Sequence, residues 1–144
     1  MNIIVKAPII LAAAYLWIGF VGAISFMEAW IKFRAPGVNL QIGLGIGRLV
    51  FNALNKVEWI LALAIIAGYF LSEKSFRDSD AMLFYVPLII LCIQSIWLLP
   101  ALDQRAEMHI QGIDVPSSPL HLYYVIAEII KVMFLFVFSL QQFK

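Results

Sequence analysis

Ionisable and amide side chains lie inside stretches of this sequence that are otherwise apolar, and these are the residues that could do chemistry. A charged group at the depth of a membrane costs about 2.5–3.5 kcal/mol on insertion scales, so such groups are expected to pair or to line a cavity. A cavity of that kind could bind an anion or move a proton. The residues are Glu28, Lys32, Arg48, Asn52, Asn55, Glu58, Gln94, His121, Tyr124, Glu128 and Lys131.

Helical spacing places these side chains on common faces. At about 100° per residue, an arc of about 120° contains Arg48, Asn52, Asn55 and Glu58. One face of a second helix carries His121, Tyr124, Glu128 and Lys131. Glu58 and Glu128 lie so far inside their apolar stretches that their short side chains are not expected to reach the headgroups, which favours a functional or cavity-lining role.

A purely structural interpretation stays open for several of these residues. Glu28 and Lys32 form an i, i+4 pair in the favourable order, and a long lysine stem can reach the membrane surface. Asn52 and Asn55 could be hydrogen-bonding contacts between helices worth under about 1 kcal/mol each. His121 stands at a predicted helix start, which is typical of a solvated interfacial histidine. We predict no metal site and no haem, because the sequence has no HExxH, paired-cysteine or CxxCH motif.

The composition indicates a membrane protein. Hydrophobic residues make up 63% of the 144 residues, charged residues only 13%, and the mean hydropathy is +0.94. A soluble domain would carry about 25% charged residues. The net charge of +1 and the absence of a basic run give no reason to expect nucleic acid as a partner. The expected partner is the lipid bilayer, around a single domain that spans residues 1–144.

The elements that must position the polar residues are four apolar segments. A helix needs about 20 residues to cross the hydrocarbon, and only helices satisfy their own backbone in lipid at this length. We therefore predict an all-α four-helix transmembrane bundle with both termini on the same side. Pro87 is expected to kink the third helix and Pro100 to end it, ahead of a loop over 101–119. The predicted helices cover residues 8–31, 44–71, 81–99 and 120–140.

Four crossings bring the polar ends of all four helices to one side of the membrane. We therefore predict one polar site at headgroup level, built from every helix, while the opposite half of the bundle is nearly free of ionisable groups. Basic residues are equally frequent on the two sides, so their count gives no orientation. If the charges on the site side are committed to internal pairs, the remaining ones favour cytoplasmic termini.

Short motifs along the whole chain resemble the small four-helix membrane proteins similar to transmembrane protein 205. They are a glycine-containing first helix, a Phe-Arg-Ala-Pro turn at 33–36, a Leu-Pro pair at 99–100 followed by Arg105, and a fourth helix that opens on Leu120 and His121. The resemblance implies the four-helix architecture and supplies no mechanism.

A second, local resemblance concerns the second helix. The spacing Arg48-x6-Asn55-x2-Glu58 is similar to the glutathione-binding stripe of the membrane-associated eicosanoid and glutathione metabolism family. That resemblance implies a homotrimer of four-helix chains with glutathione bound at this end of the bundle. Phe51 stands where that family would carry an arginine.

These observations lead to a first hypothesis about function. The chain would be a membrane-embedded binding or scaffold protein whose pocket holds a small anionic or lipid-headgroup ligand. Arg48 and Lys131 would contact the anion, and Asn52 and Asn55 would donate hydrogen bonds. The two glutamates, Glu58 and Glu128, would neutralise the basic residues when no ligand is bound.

Two further hypotheses stay open. The pocket could belong to a glutathione- or lipid-type transferase, in which Arg48 stabilises an anionic nucleophile and Tyr124 or His121 transfers a proton. Glutathione is the only cofactor that we consider, and only for that enzyme. Alternatively, the chain could be a subunit of a homo-oligomer or a larger membrane complex, with its polar faces buried against partners.

Overall fold

The computed structural model describes residues 2–143 and consists of four long helices. They are α1 (Pro8–Arg34), α2 (Leu40–Leu71), α3 (Ser79–Ile110) and α4 (Leu120–Leu140), and each is long and apolar enough to cross a membrane. Residues 2–143 contain no β-strand, and one antiparallel bridge joins Val5 to Phe143. The predicted all-α bundle with both chain ends on the same side is therefore confirmed.

Local sequence explains the helix boundaries near the polar end of the bundle. α1 ends at Arg34 because Ala35, the residue before Pro36, adopts an extended conformation with ψ 136°. α2 begins at Leu40, earlier than the predicted residue 44. Asn39 caps it, since its side-chain oxygen accepts a hydrogen bond of 2.9 Å from the backbone N–H of Ile42.

The prediction that Pro100 ends the third helix is wrong, because α3 continues to Ile110. A π-helical turn over Gln94–Leu98 ends two residues before Pro100, and the N–H of Leu99 donates to the carbonyl of Gln94. Pro100 then occupies the first turn of a new α-helical stretch, where a missing N–H does no harm. The predicted loop over 101–119 is therefore helical in its first half, whereas Pro87 lies inside α3 as expected.

The apolar core fills the half of the bundle nearest the chain termini. α1 and α2 approach closely there, since a Cβ atom on Gly68 would lie 2.5 Å from Cγ1 of Ile10. Small residues at such contacts let helix backbones come together. The fully buried apolar side chains of this core include Ile10, Trp17, Ile65, Phe84, Leu91, Leu135 and Phe138.

The outer surface of the helices is also apolar. Ile96 is 80% exposed, and Leu49 and Phe70 are each 76% exposed. A soluble domain would not present so many large apolar side chains to water, whereas a lipid-facing surface is made of them. Charged side chains therefore have to gather at the helix ends or inside the bundle, and both arrangements occur.

Candidate functional site

The ammonium group of Lys131 lies at the centre of a buried polar network near the middle of the bundle. Its Nζ donates to Oε1 of Glu58 and to Oε1 of Gln94 at 2.6 Å, and it forms an ion pair of 2.6 Å with Oε1 of Glu128. Two hydrogen bonds and this ion pair therefore hold the ammonium group. The side chains of Lys131, Glu58 and Glu128 are at most 1% exposed, so no solvent reaches this ion-pair cluster.

Neutral side chains from the other helices complete the central network. Trp17 of α1 donates its indole N–H to Oε1 of Glu58 at 2.8 Å, and Ser25 of α1 donates its hydroxyl to Oε2 of Glu128 at 2.6 Å. Gln94 of α3 donates its amide to Oε1 of Glu128 at 2.6 Å. The central network (Trp17, Ser25, Glu58, Gln94, Glu128 and Lys131) therefore joins all four helices.

Two π-helical turns supply neutral members of the central network. Ser25 lies in the π-turn Gly22–Glu28 of α1, and Gln94 opens the π-turn Gln94–Leu98 of α3. A π-turn inserts one extra residue and so rotates the helix face beyond it, and such turns are frequent at functional sites. In this bundle they turn polar side chains inward at the level of Lys131.

A separate pocket of about 380 Å³ lies between α2, α3 and α4, at the end of the bundle away from the termini. Its walls combine apolar side chains with a few polar groups, which is typical of sites for small molecules. The lining residues are Leu44, Gly47, Arg48, Phe51, Asn52, Asn55, Ser95, Leu99, Pro100, Leu102, Asp103, Ala106, His121 and Tyr124.

Arg48 is held at the rim of the pocket by two acidic residues of α3. Its Nε and Nη2 donate to the carboxylate of Asp103 at 2.7 Å and 3.0 Å, and Nη1 donates to Glu107. The fork-like geometry fixes the plane of the guanidinium. Because Asp103 and Glu107 are more than one-third exposed, solvent screens these ion pairs and their contribution to stability is small.

Hydrogen bonds also order the inner wall of the pocket. Ser95 donates to the side-chain oxygen of Asn55 at 2.8 Å and accepts from the indole N–H of Trp59 at 2.9 Å. Tyr124 is buried, and its ring meets that of Phe51 edge-on at 5.5 Å. These contacts position the inner wall without filling the cavity.

The structure divides the predicted single site into separate parts. Five of the predicted residues line the pocket, and four belong to the central network, whereas Glu28 and Lys32 form an ion pair of 3.4 Å on α1. Lys131 is enclosed by the central network and is not among the residues that line the pocket. The pocket residues are Arg48, Asn52, Asn55, His121 and Tyr124, and the network residues are Glu58, Gln94, Glu128 and Lys131.

A second buried polar cluster lies at the end of the bundle that carries the termini, where we expected almost no ionisable groups. Oδ2 of Asp80 accepts hydrogen bonds from the Tyr69 hydroxyl at 2.9 Å, from Lys74 at 2.5 Å and from Gln142 at 3.0 Å. We refer to these four residues as the Asp80 cluster. It connects α2, the loop after α2, the start of α3 and the C-terminal residues.

Comparisons with protein-family models, with curated proteins and with solved structures found no match. Within residues 2–143, no group of three or more His, Cys, Asp or Glu side chains is placed to hold a metal ion. The function therefore has to be argued from the geometry of the pocket and of the central network.

Proposed function

We propose that this chain is a multi-pass membrane protein that binds an anionic lipid headgroup in the pocket between α2, α3 and α4. The observation that carries the proposal is the pocket itself, a cavity of about 380 Å³ whose polar groups converge between apolar walls. Ligand sites of this character have volumes of about 300–1,000 Å³. The position of the pocket, at the helix ends rather than mid-bundle, corresponds to headgroup depth when the four helices cross a membrane.

Arg48 supplies the positive group that would meet the headgroup. A guanidinium has five N–H donors. Asp103 and Glu107 take three of them, and the other two have no acceptor among residues 2–143. A phosphate oxygen could accept from these free donors. Asn52 and His121 are exposed on the same wall and add further donors, while Leu99 and its apolar neighbours would contact the first methylenes of the lipid.

Lys131 has a different role in this proposal from the one that the sequence predicted. Its ammonium group is committed to Glu58, Gln94 and Glu128 of the central network, so it positions α2, α3 and α4 around the pocket and does not touch the ligand. The sequence hypothesis that Lys131 contacts an anion is therefore replaced by a structural role.

Replacing Arg48 by glutamine tests the proposed lipid site. We expect native mass spectrometry of the protein, released from nanodiscs of phosphatidylcholine and phosphatidylglycerol, to find one retained phosphatidylglycerol per chain. The Arg48→Gln variant should retain it about tenfold less, since a charge-assisted hydrogen bond is worth about 1.5–3 kcal/mol. Arg77→Gln, at the opposite end of the bundle, is the matched control and should behave as the unchanged protein. Equal retention by both variants would contradict the proposed site.

The proposed orientation has the termini in the cytoplasm. Basic residues at the pocket end are engaged in local contacts: Lys32 with Glu28, Arg48 with two acids, and Arg105 with the carbonyl of Pro116 at 2.6 Å. The basic residues near the termini would then dominate the positive-inside preference. A homo-oligomer or a larger membrane complex stays part of the proposal, since the bundle offers long apolar faces to lipid or to partners.

A transferase that uses the same pocket is the second candidate, because both predicted proton-transfer residues, His121 and Tyr124, line it together with Arg48. Under this alternative, Tyr124 or His121 would transfer the proton of a thiol such as that of glutathione. Of the three residues that carried the resemblance to glutathione-binding proteins, Arg48 and Asn55 line the pocket and Glu58 does not.

The transferase alternative predicts that the protein conjugates glutathione to 1-chloro-2,4-dinitrobenzene. Loss of a positioned proton-transfer group costs about 10²–10⁴-fold in rate, so Tyr124→Phe should reduce the activity at least 100-fold. Tyr123→Phe, at the exposed neighbouring position, should leave it unchanged. Absence of conjugation by the unchanged protein would exclude this activity and leave the lipid-binding proposal standing.

A further inference from the structure

The central network contains more acidic than basic groups. Lys131 is the basic group of the network: it donates to Glu58 and Gln94 and forms an ion pair with Glu128. Glu58 and Glu128 are two potential negative charges, so the fully ionised network would carry one uncompensated negative charge. The groups that α1 and α3 present to these glutamates are uncharged, and Tyr124 of α4 is the other titratable group nearby.

An uncompensated charge without solvent access is strongly unfavourable, and a buried group takes up a proton rather than remain ionised alone. Hydrogen bonding distinguishes the two carboxyl groups. Glu128 accepts at both oxygens, from Gln94 at Oε1 and from Ser25 at Oε2, and its Oε1 also forms the ion pair with Lys131. Glu58 accepts only at Oε1, and its Oε2 has no donor within residues 2–143. An additional proton would therefore have room on Oε2 of Glu58.

We propose that the central network is a membrane-embedded proton-binding site, in which Glu58 and Glu128 together hold one exchangeable proton beside the Lys131 ammonium. The inference goes beyond the lipid site and needs no ligand in the pocket. Proton binding forms one carboxyl O–H bond and breaks one O–H bond of a hydronium ion, which leaves a water molecule. Release of the proton to water reverses this transfer, and no oxidant or reductant takes part.

The pocket gives this proton a path to water. Tyr124 lines the pocket on one side, and its hydroxyl lies close to Ser25 on the other. Ser25 donates to Glu128 at 2.6 Å, and Glu128 shares the Lys131 ammonium with Glu58. The hydroxyl groups of Tyr124 and Ser25 lie in this order between the pocket and the buried acids, and a hydrogen bond formed between them would let a proton pass to Glu128.

Infrared spectroscopy of the protein in phosphatidylcholine nanodiscs at neutral pH tests the proposal, because protonated carboxyl groups absorb at a different frequency from carboxylates. We expect the unchanged protein to show one protonated carboxyl per chain. Glu58→Gln and Glu128→Gln should each abolish this band, since the single remaining acid then balances Lys131. Asp80→Asn removes the buried carboxylate of the other cluster and should leave the band unchanged.

Two further variants in the same experiment test the role of the Lys131 charge and the path of the proton. Lys131→Met should increase the band about twofold, because both glutamates then lack a counter-charge; where this variant does not fold, the two glutamine variants alone decide. Tyr124→Phe should slow the shift of the band on transfer to D₂O. The proposal would be overturned if the unchanged protein lacked the band or if the band survived both glutamine substitutions. It would also be overturned if the band appeared only when sodium is removed, because the two glutamates would then bind a cation in place of the proton. None of these outcomes depends on phosphatidylglycerol retention, so the two proposals fail independently.

Discussion

Replacing Lys131 by methionine is expected to destabilise the protein by about 3–5 kcal/mol, because it leaves two buried glutamates without their shared cation. Glu58 and Glu128 would have to be protonated together or remain charged in a site without solvent. The loss should therefore shrink as the pH falls, since protonation then removes the uncompensated charges. Unfolding of the purified protein in one detergent, followed by tryptophan fluorescence at several pH values, measures both effects.

Two further variants make this prediction specific to the central network. Lys56→Met removes an exposed lysine from α2 and should change stability by no more than about 0.5 kcal/mol. Combining Lys131→Met with Glu58→Gln and Glu128→Gln should recover most of the lost stability, because replacing a whole buried ion cluster by neutral groups is often nearly neutral. A triple variant as unstable as Lys131→Met alone would show that the side chain of Lys131 acts through packing and not through charge.

The fold could be predicted from the sequence because its strongest determinant is local. Four apolar stretches of sufficient length admit one kind of structure in lipid, and an even number of crossings places both ends on one side. The same reasoning identified Glu58, Glu128 and Lys131 as deep side chains that need partners. Their burial and mutual contact agree with that expectation.

The partners of these residues were harder to predict. Trp17 and Ser25 lie in an apolar segment. An indole or a small hydroxyl hardly changes the hydropathy of such a segment, so neither residue is recognised as part of a polar site. A buried indole N–H nevertheless needs an acceptor, and this signal could have linked Trp17 to a deep carboxylate on another helix. Which acceptor it finds depends on helix rotation, and the π-turns set that rotation in a way that side-chain spacing alone does not reveal.

The π-turn of α3 explains why the predicted helix end at Pro100 was wrong. It also explains why two acidic residues of α3 stand at the rim of the pocket. Sequence rules treat a proline after an apolar run as a helix end. Because the π-turn Gln94–Leu98 restarts the hydrogen-bonding pattern, α3 continues and carries Asp103 and Glu107 one helical turn apart. Both acids then meet Arg48, a contact that a loop over 101–119 would not have predicted.

The Asp80 cluster was missed because its members are distant in sequence and each looks ordinary alone. Lys74 and Asp80 are typical of a polar connection between two helices, and Gln142 belongs to the C-terminal tail. Tyr69 ends an apolar stretch, as interfacial tyrosines do. Only the packing of the chain ends against the loop after α2 brings them together, and the bridge between Val5 and Phe143 belongs to the same arrangement.

Asp80→Asn is therefore expected to destabilise the end of the bundle that carries the termini, by about 1.5–3 kcal/mol, which is the contribution of hydrogen bonds to a charged group. One carboxylate oxygen accepts from Tyr69, Lys74 and Gln142, and the neutral amide weakens all three bonds. Thermal unfolding in detergent measures the loss, and trypsin should cut after Lys74 sooner. Asp78→Asn is the matched control, since Asp78 is exposed and accepts only from the backbone N–H of Ser75 in this loop. Equal effects of the two substitutions would mean that the cluster does not hold the chain ends in place.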